Sequence, residues 1–288
     1  MKFSVLMTVY NGEKPNSLEL AIKSLLWQTI LPNQIVIVKD GILSKELNDI
    51  IDKYAKENSG LFTIVQLNEN KGIGMAAKIG LEYCEHEFVA RLDSDDISLP
   101  NRFERQLEFM KKNIDVSVVG TWTGEFEGNY TNIVSVRKPA EKMEDIIKKS
   151  KRISPLTNTS TMFKKEHVLL SGGYIDLKFG EDYHLWAKMI TNGYKIANIP
   201  EILVLVDVSN KYKKRGGIAM IKQQVKLQSL FLGMGFINIF DFFINTFIRV
   251  VLTLVPNTFR RLIYKNILRR LNNQDLNNID FSFFNQQK

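Results

Sequence analysis

Cysteine is almost missing from this chain: Cys84 stands alone, so no intramolecular disulfide framework exists, and a lone thiol fits a reducing compartment. Histidine is scarce, and His86 and His167 have no partner at metal-ligand spacing, which removes a histidine-built metal centre. There is no internal repeat and no low-complexity linker. The apolar start superficially resembles a signal peptide. Its run stops at Tyr10, and Asn11-Gly12 follows without a small-residue cleavage site, so it reads as a buried first strand of a cytoplasmic chain. Acids are nearly absent from residues 211–272, which hold twelve Lys or Arg against Asp241 alone. The first 210 residues are close to neutral, so an anionic partner would act on the C-terminal part, and the main body has no nucleic-acid footprint.

What is present describes a globular α/β protein. The 288 residues suffice for one large or two small domains with a buried core. Candidate strands are Phe3–Val9, Gln34–Lys39, Phe62–Leu67, Glu87–Leu92 and Val116–Gly120. Between them, apolar residues at helical spacing predict helices over Leu18–Gln28, Ser44–Asn58, Ile73–Cys84 and Asn101–Lys112. Strands alternating with helices imply βαβ units, a mostly parallel, Rossmann-like sheet and helices on both faces. Beyond Gly120 the pattern changes: a hairpin or meander over Trp122–Arg137, a short helix Lys142–Lys149 and a strand Thr159–Phe163. A helix Tyr183–Asn192 ending at Gly193 precedes two strands, Lys195–Ile199 and Ile202–Val206, set around Pro200.

Right-handed crossovers put every parallel strand's C-terminal end on one edge, where open α/β sheets bind ligands. Four strand ends there carry Tyr10-Asn11-Gly12, Asp40-Gly41, Asn68-Glu69-Asn70-Lys71-Gly72 and Asp93-Ser94-Asp95-Asp96. Strand-to-helix loops are polar anyway, and Asn68–Lys71 alone fits that plain reading. The acidic cluster is more telling. Three carboxylates in four positions repel one another and suit a hard cation with oxygen ligands, Mg²⁺ or Mn²⁺, that also grips a diphosphate. An EF-hand is excluded, because the glycine and distal glutamate of its loop are missing. A solvated loop before the Asn101 helix is the plain alternative.

Ser4-Val5-Leu6-Met7-Thr8-Val9-Tyr10-Asn11-Gly12, Ile37-Val38-Lys39-Asp40-Gly41, Asn70-Lys71-Gly72-Ile73-Gly74, Arg91-Leu92-Asp93-Ser94-Asp95-Asp96 and Gly180-Glu181-Asp182-Tyr183 occur in an order that resembles family 2 glycosyltransferases of the GT-A fold. The likeness is greatest to enzymes of bacterial capsule, exopolysaccharide and O-antigen assembly, including the amylovoran type, and covers roughly residues 3–215. It implies inverting transfer of one sugar from a nucleotide-diphosphate donor, such as UDP-galactose or UDP-glucose, to a glycan or lipid-linked acceptor. It also implies a catalytic domain over 1–215, with a nucleotide half to about 120 and an acceptor half after it, and a helical C-terminal region over 216–288.

Carried onto this sequence, the resemblance puts Thr8, Tyr10 and Asn11 beside the nucleotide and Asp40 on base or ribose, whose hydroxyls a carboxylate can accept from. Asp93 and Ser94 fall on the donor side, Asp95 becomes the main metal ligand with Asp93 beside it, and Asp96 a supporting or sugar contact. Arg91 pairs with the cluster or the donor, or forms a structural ion pair. Inverting transfer needs a base opposite the leaving diphosphate. The family pattern gives that role to Asp182, supported by Glu181, at a helix start that favours the ionised form; ordinary first-turn acids are the alternative. Trp186 and His184, a turn beyond, are either sugar contacts or packed helix residues. Lys213-Lys214-Arg215-Gly216-Gly217 is either a basic flap that sets Arg215 over the diphosphate or a solvated charge run.

Leu230–Val255 is rich in Phe, Ile, Leu and Val, but Asp241 and Arg249 make spanning a bilayer expensive. With Arg260, Arg261, Lys265, Arg269 and Arg270 following, the stretch fits an amphipathic segment on an anionic leaflet, with packing against the main domain or a second copy as the alternative. A sugar nucleotidyltransferase would carry a glycine-rich basic loop after the first strand. Here that position reads Tyr10-Asn11-Gly12-Glu13-Lys14, which disfavours it, and intact Asp93, Asp95 and Asp182 disfavour a binding protein that kept only the fold. Processive synthases of the family carry Gln-x-x-Arg-Trp, which does not follow Asp182.

Overall fold

The computed structural model describes residues 1–209 and 218–255, together with Ile279 and Phe281. Its first half alternates as the apolar runs predict: β1 (Phe3–Val9), α1 (Pro15–Leu26), β2 (Gln34–Lys39), α2 (Lys45–Glu57), β3 (Phe62–Gln66), α3 (Ile73–Glu82), β4 (Phe88–Arg91), the short β5 (Ile97–Ser98) and α4 (Arg102–Lys112). The helix starts have local causes. Pro15 opens α1 with its preset φ and no orphan N–H, and the Ser44 hydroxyl accepts the Leu47 N–H at the start of α2. There follow β6 (Val116–Phe126), β7 (Ile133–Arg137), α5 (Met143–Ser150), a 3₁₀ turn (Asn158–Ser160), β8 (Met162–Lys164), α6 (Lys165–Leu170), α7 (Glu181–Thr191), β9 (Lys195–Asp207), α8 (Ile218–Gly233) and α9 (Ile239–Leu254).

The strands form one sheet in the order β3-β2-β1-β4-β8-β6-β9-β5, with β7 beside β6. Pairing is parallel among β1, β2, β3 and β4 and between β6 and β9, and antiparallel on both sides of β8. β6 therefore runs the same way as β4, and most strands point their C-terminal ends to one edge. β1 is buried throughout, because helices cover both faces. Phe3, Val5, Met7 and Val9 pack with Leu18, Ile22, Leu47 and Phe103 of α1, α2 and α4. Leu6 points the other way, toward Ala77, Leu81, Trp186 and Met189 of α3 and α7. That period-two alternation turns the run into a two-sided core.

Two expectations change. Pro200 does not divide a pair of strands: β9 runs unbroken from Lys195 to Asp207. Its register against β6 slips between Thr121↔Ile199 and Trp122↔Ile202, so Pro200 and Glu201 bulge out of the ladder at the point where proline has no N–H to donate. Thr159 is not in a strand but in the 3₁₀ turn, and the strand begins only at Met162. Of the C-terminal region, the described residues 218–255 are mostly helical. α8 and α9 pack as a pair, and α8 rests on α7 through Leu227 and Phe231 against Tyr183 and Ala187. Arg215 and the basic run around it, like Arg260, Arg261, Lys265, Arg269 and Arg270, lie outside the described residues.

Candidate active site

The strand ends meet in a cleft of about 600 Å³. Its lining includes Thr8 near the end of β1 and Tyr10 beyond it, Asp40 after β2 and the loop Asp93–Asp96 after β4. Thr157–Thr159, Lys178–Asp182 and Val206-Asp207 complete it, and of these Thr159 and Asp207 are hydrogen-bonded to the acidic loop. Thr8, Tyr10, Asp40, Asp93, Ser94, Asp95, Asp96, Glu181 and Asp182, which are spread over most of the chain, thus share one cavity.

Asp40 is buried, and its two carboxylate oxygens accept the Lys71 and Gly72 N–H groups at 2.7 and 3.0 Å. It holds the loop into α3 while lining the cleft. The position of Gly74, the second residue of α3, explains the glycine of that motif: a Cβ there would lie 2.8 Å from the Ile175 carbonyl oxygen and 3.1 Å from Glu181 Cβ. The Asn70–Gly74 stretch is therefore a packing surface for the Glu181 segment as well as a loop.

The acidic loop rests on two fully buried arginines. Arg91 donates to the Leu6 carbonyl at 2.9 Å and to Asp93 at 3.1 Å, so the ion pair with the cluster exists. Arg102 donates to the carbonyls of Arg91 and Thr161. Burial pulls the Arg102 guanidinium down, while the charges of Asp96 and Asp93 draw it back up; arginine's high intrinsic basicity keeps it charged. Thr159 Oγ1 accepts the Asp93 N–H at 3.0 Å, and Asp96 accepts the Asp207 N–H at 3.0 Å, stapling the loop to β9. Burial, then the charges of Asp95 and Asp93, push the Asp96 carboxyl well above its ordinary range.

Gly180 sits at φ +76° as the cap of α7, with the Leu227 side chain 2.6 Å from where a Cβ would be. Glu181 and Asp182 form the first turn of α7. Glu181 is buried, and desolvation, followed by the charge of Asp182, raises its carboxyl.

Trp186, Asn11 and His184 are absent from the cleft lining. Trp186 is fully buried and packs on Phe163 with ring centroids 6.2 Å apart, so it supports α7 from the core and touches no sugar. Trp186→Ala should therefore lower unfolding free energy by about 3–5 kcal/mol. A chemical denaturation curve checks this, and unchanged stability with weakened acceptor binding would refute it. Asn11 also falls short of the cleft: its Oδ1 accepts the Ser44 N–H at 2.7 Å and buttresses the start of α2. His184 does not line the cleft either. Conversely, Arg137, Asn158, Thr159, Lys178, Phe179 and Asp207 line it without having stood out in the sequence. Only Lys178-Phe179 carried a signal, by adjacency to Gly180-Glu181-Asp182. Arg137 is fixed by donating to the Ser154 and Leu156 carbonyls, a contact that only the fold creates.

The donor chemistry fits a hard divalent cation. The cleft lining carries eight carboxylates, Glu13, Asp40, Asp93, Asp95, Asp96, Glu181, Asp182 and Asp207, against Lys14, Arg137 and Lys178. Such an excess of oxygen anions calls for a cation. Among the described residues no three His, Cys, Asp or Glu side chains converge as a ready-made cage. A Mg²⁺-type ion needs none, being held by one or two carboxylates plus substrate phosphates.

A parallel sheet continued through one reversed strand, with an acid-rich cleft at its strand ends, is the GT-A architecture. The chain belongs to glycosyl transferase family 2, whose family model matches residues 4–169. It is 39% identical over 271 residues to a UDP-Gal:alpha-D-GlcNAc-diphosphoundecaprenol beta-1,3-galactosyltransferase of Escherichia coli, covering 93% of this chain and 97% of that one. To the amylovoran biosynthesis glycosyltransferase AmsE of Erwinia amylovora it is 35% identical, covering 91% and 98%. Among solved structures, the mannosyltransferase PcManGT of Pyrobaculum calidifontis in complex with GDP-Man and Mn2+ superposes with a TM-score of 0.59 at 16% identity, over 90% of this chain and 71% of that one.

Proposed function

We propose that this glycosyltransferase moves one hexose, galactose or a close relative, from a UDP-sugar to a saccharide carried on a lipid diphosphate, with inversion and without processivity, in bacterial surface-polysaccharide assembly. Residues 1–215 form the catalytic domain and 216–288 a region that keeps the enzyme at the inner face of the cell membrane. The observation that supports this reading is that Asp182 and the acidic loop line one cleft.

In this reading Thr8, Tyr10 and Asp40 bind the nucleoside, and Asp93 and Ser94 hold the donor. Asp95, aided by Asp93, would hold Mn²⁺ or Mg²⁺, whose charge stabilises the departing diphosphate. Asp182 removes the acceptor hydroxyl proton as that oxygen bonds to the anomeric carbon and the bond to the diphosphate oxygen breaks. Glu181, whose carboxyl burial raises, can donate a hydrogen bond to Asp182 or to the acceptor. Arg137 and Lys178 are the cleft cations suited to a second phosphate group, that of the acceptor.

The test is release of nucleoside diphosphate from a panel of UDP- and GDP-sugars, with a lipid-diphosphate GlcNAc acceptor, in Mn²⁺ and then in EDTA. UDP-galactose or UDP-glucose should be turned over, and chelation should abolish release. Full activity in EDTA would remove the metal from the mechanism, and turnover of GDP-sugars alone would overturn the donor assignment.

A further inference from the structure

Helix α9 is amphipathic in the inverted sense. Its polar residues face the protein: Asp241 pairs with Arg152 at 2.8 Å, Asn245 donates to the Lys151 carbonyl and to Gln228, and Arg249 donates to Gln224 and the Arg152 carbonyl. Its apolar residues face outward. Phe240 is 75% exposed, Phe243 64%, Phe247 71% and Leu254 67%, with Ile244 and Val251 on the same side. These positions recur every three or four residues and form one continuous stripe. A soluble surface rarely leaves three phenylalanines so open in one patch.

We infer that this outward face of α9 is a docking surface for an anionic lipid bilayer, on which the helix lies flat. This deepens the membrane-surface part of the proposed function and rests on it. Length and charge select the occupant. Sixteen residues span about 24 Å, less than the hydrocarbon thickness, and no helix among the described residues is long and apolar enough to cross a membrane. The inner polar face is tied down by the contacts above, which keeps the helix from turning into the lipid. After Asp241 the sequence holds no acid until Asp275, while Arg260, Arg261, Lys265, Arg269 and Arg270 follow the helix. A second copy would bring two such basic stretches together, whereas anionic headgroups would be attracted to them.

The docking face also has a direct mechanical link to the site. α9 packs on α8, and α8 presses on α7 through Phe231 against Tyr183, with ring centroids 4.7 Å apart, and Leu227 against Gly180. Those α7 residues flank Asp182. Docking would thus fix the acceptor wall of the cleft at a set height above the lipid, where a lipid-borne saccharide is presented.

The experiment is flotation of the full chain with phosphatidylcholine vesicles and with vesicles containing one-third phosphatidylglycerol, at low salt. The protein should float with the anionic vesicles. Phe243→Ser with Phe247→Ser should reduce the bound fraction at least about tenfold, with melting temperature and nucleotide release on a water-soluble acceptor unchanged. A parent chain that stays unbound overturns the proposal. So does a double variant that still floats, which would leave binding to the basic residues or place another part of the chain over the stripe. A dimer in sedimentation that the double substitution dissociates would assign the face to a second copy. Because release on a soluble acceptor is read separately, loss of docking and loss of transfer are told apart.

Discussion

Asp182→Asn should lower turnover by about 10²- to 10⁴-fold while leaving UDP-sugar affinity near that of the parent. Asp182 lies in the first turn of α7 and lines the cleft, and in the proposed mechanism it acts on the acceptor rather than the diphosphate. Removing its negative charge removes the proton acceptor for the incoming hydroxyl but no donor contact. In free-energy terms the loss is about 2.7–5.4 kcal/mol of transition-state stabilisation. Single-turnover rates and calorimetric titration with the UDP-sugar separate the two quantities. An Asn variant with parental turnover would remove Asp182 from the chemistry. One whose donor affinity collapses alongside turnover would move it to the donor wall. Glu181→Gln should be milder, since Glu181 already tends toward the protonated form that glutamine imitates.

The second large effect is expected from Asp95→Ala, which should reduce kcat/KM by about 100-fold or more, about 2.7 kcal/mol. The three acids of the loop are not equivalent. Asp96 is buried and engaged by the Asp207 N–H, and Asp93 is drawn toward Arg91. In the proposed mechanism Asp95 is the main cation ligand, with Asp93 beside it. The apparent Mn²⁺ affinity in the presence of UDP should therefore weaken most in Asp95→Ala and less in Asp93→Ala. Titrating Mn²⁺ while following the paramagnetic signal of the free ion checks this without relying on turnover. Equal Mn²⁺ affinity in Asp95→Ala and the parent would reassign the cation.

Much of this arrangement was legible from residue patterns because its parts are local. Apolar runs such as Phe3–Val9 and Gln34–Lys39 alternate with helical periods, and βα connections fix which edge the polar loops share. The acids of the Asp93 loop and of the α7 start were visible for the same reason. What escaped notice depends on contacts between distant segments. Arg137 enters the cleft only because carbonyls of Ser154 and Leu156 hold it there. Thr159 meets the acidic loop through a turn whose β-like composition suggests a strand. Trp186 misled for the opposite reason: closeness in sequence to Asp182 does not say which side of a helix a residue occupies. Asn11 belongs with the nucleotide-side motif in sequence, yet its amide is committed to the backbone of Ser44.

The close approach of Gly74 to the Glu181 segment bears on protein engineering. A graft that exchanges residues 174–182 for those of a relative, with the aim of changing the acceptor, would insert new atoms against a backbone that leaves no room for a Cβ at position 74. Such chimaeras should work best when 70–74 travels with 174–182, as one interchangeable cassette drawn from two distant places in the chain. Swapping either piece alone sets mismatched shapes against each other at the floor of the cleft.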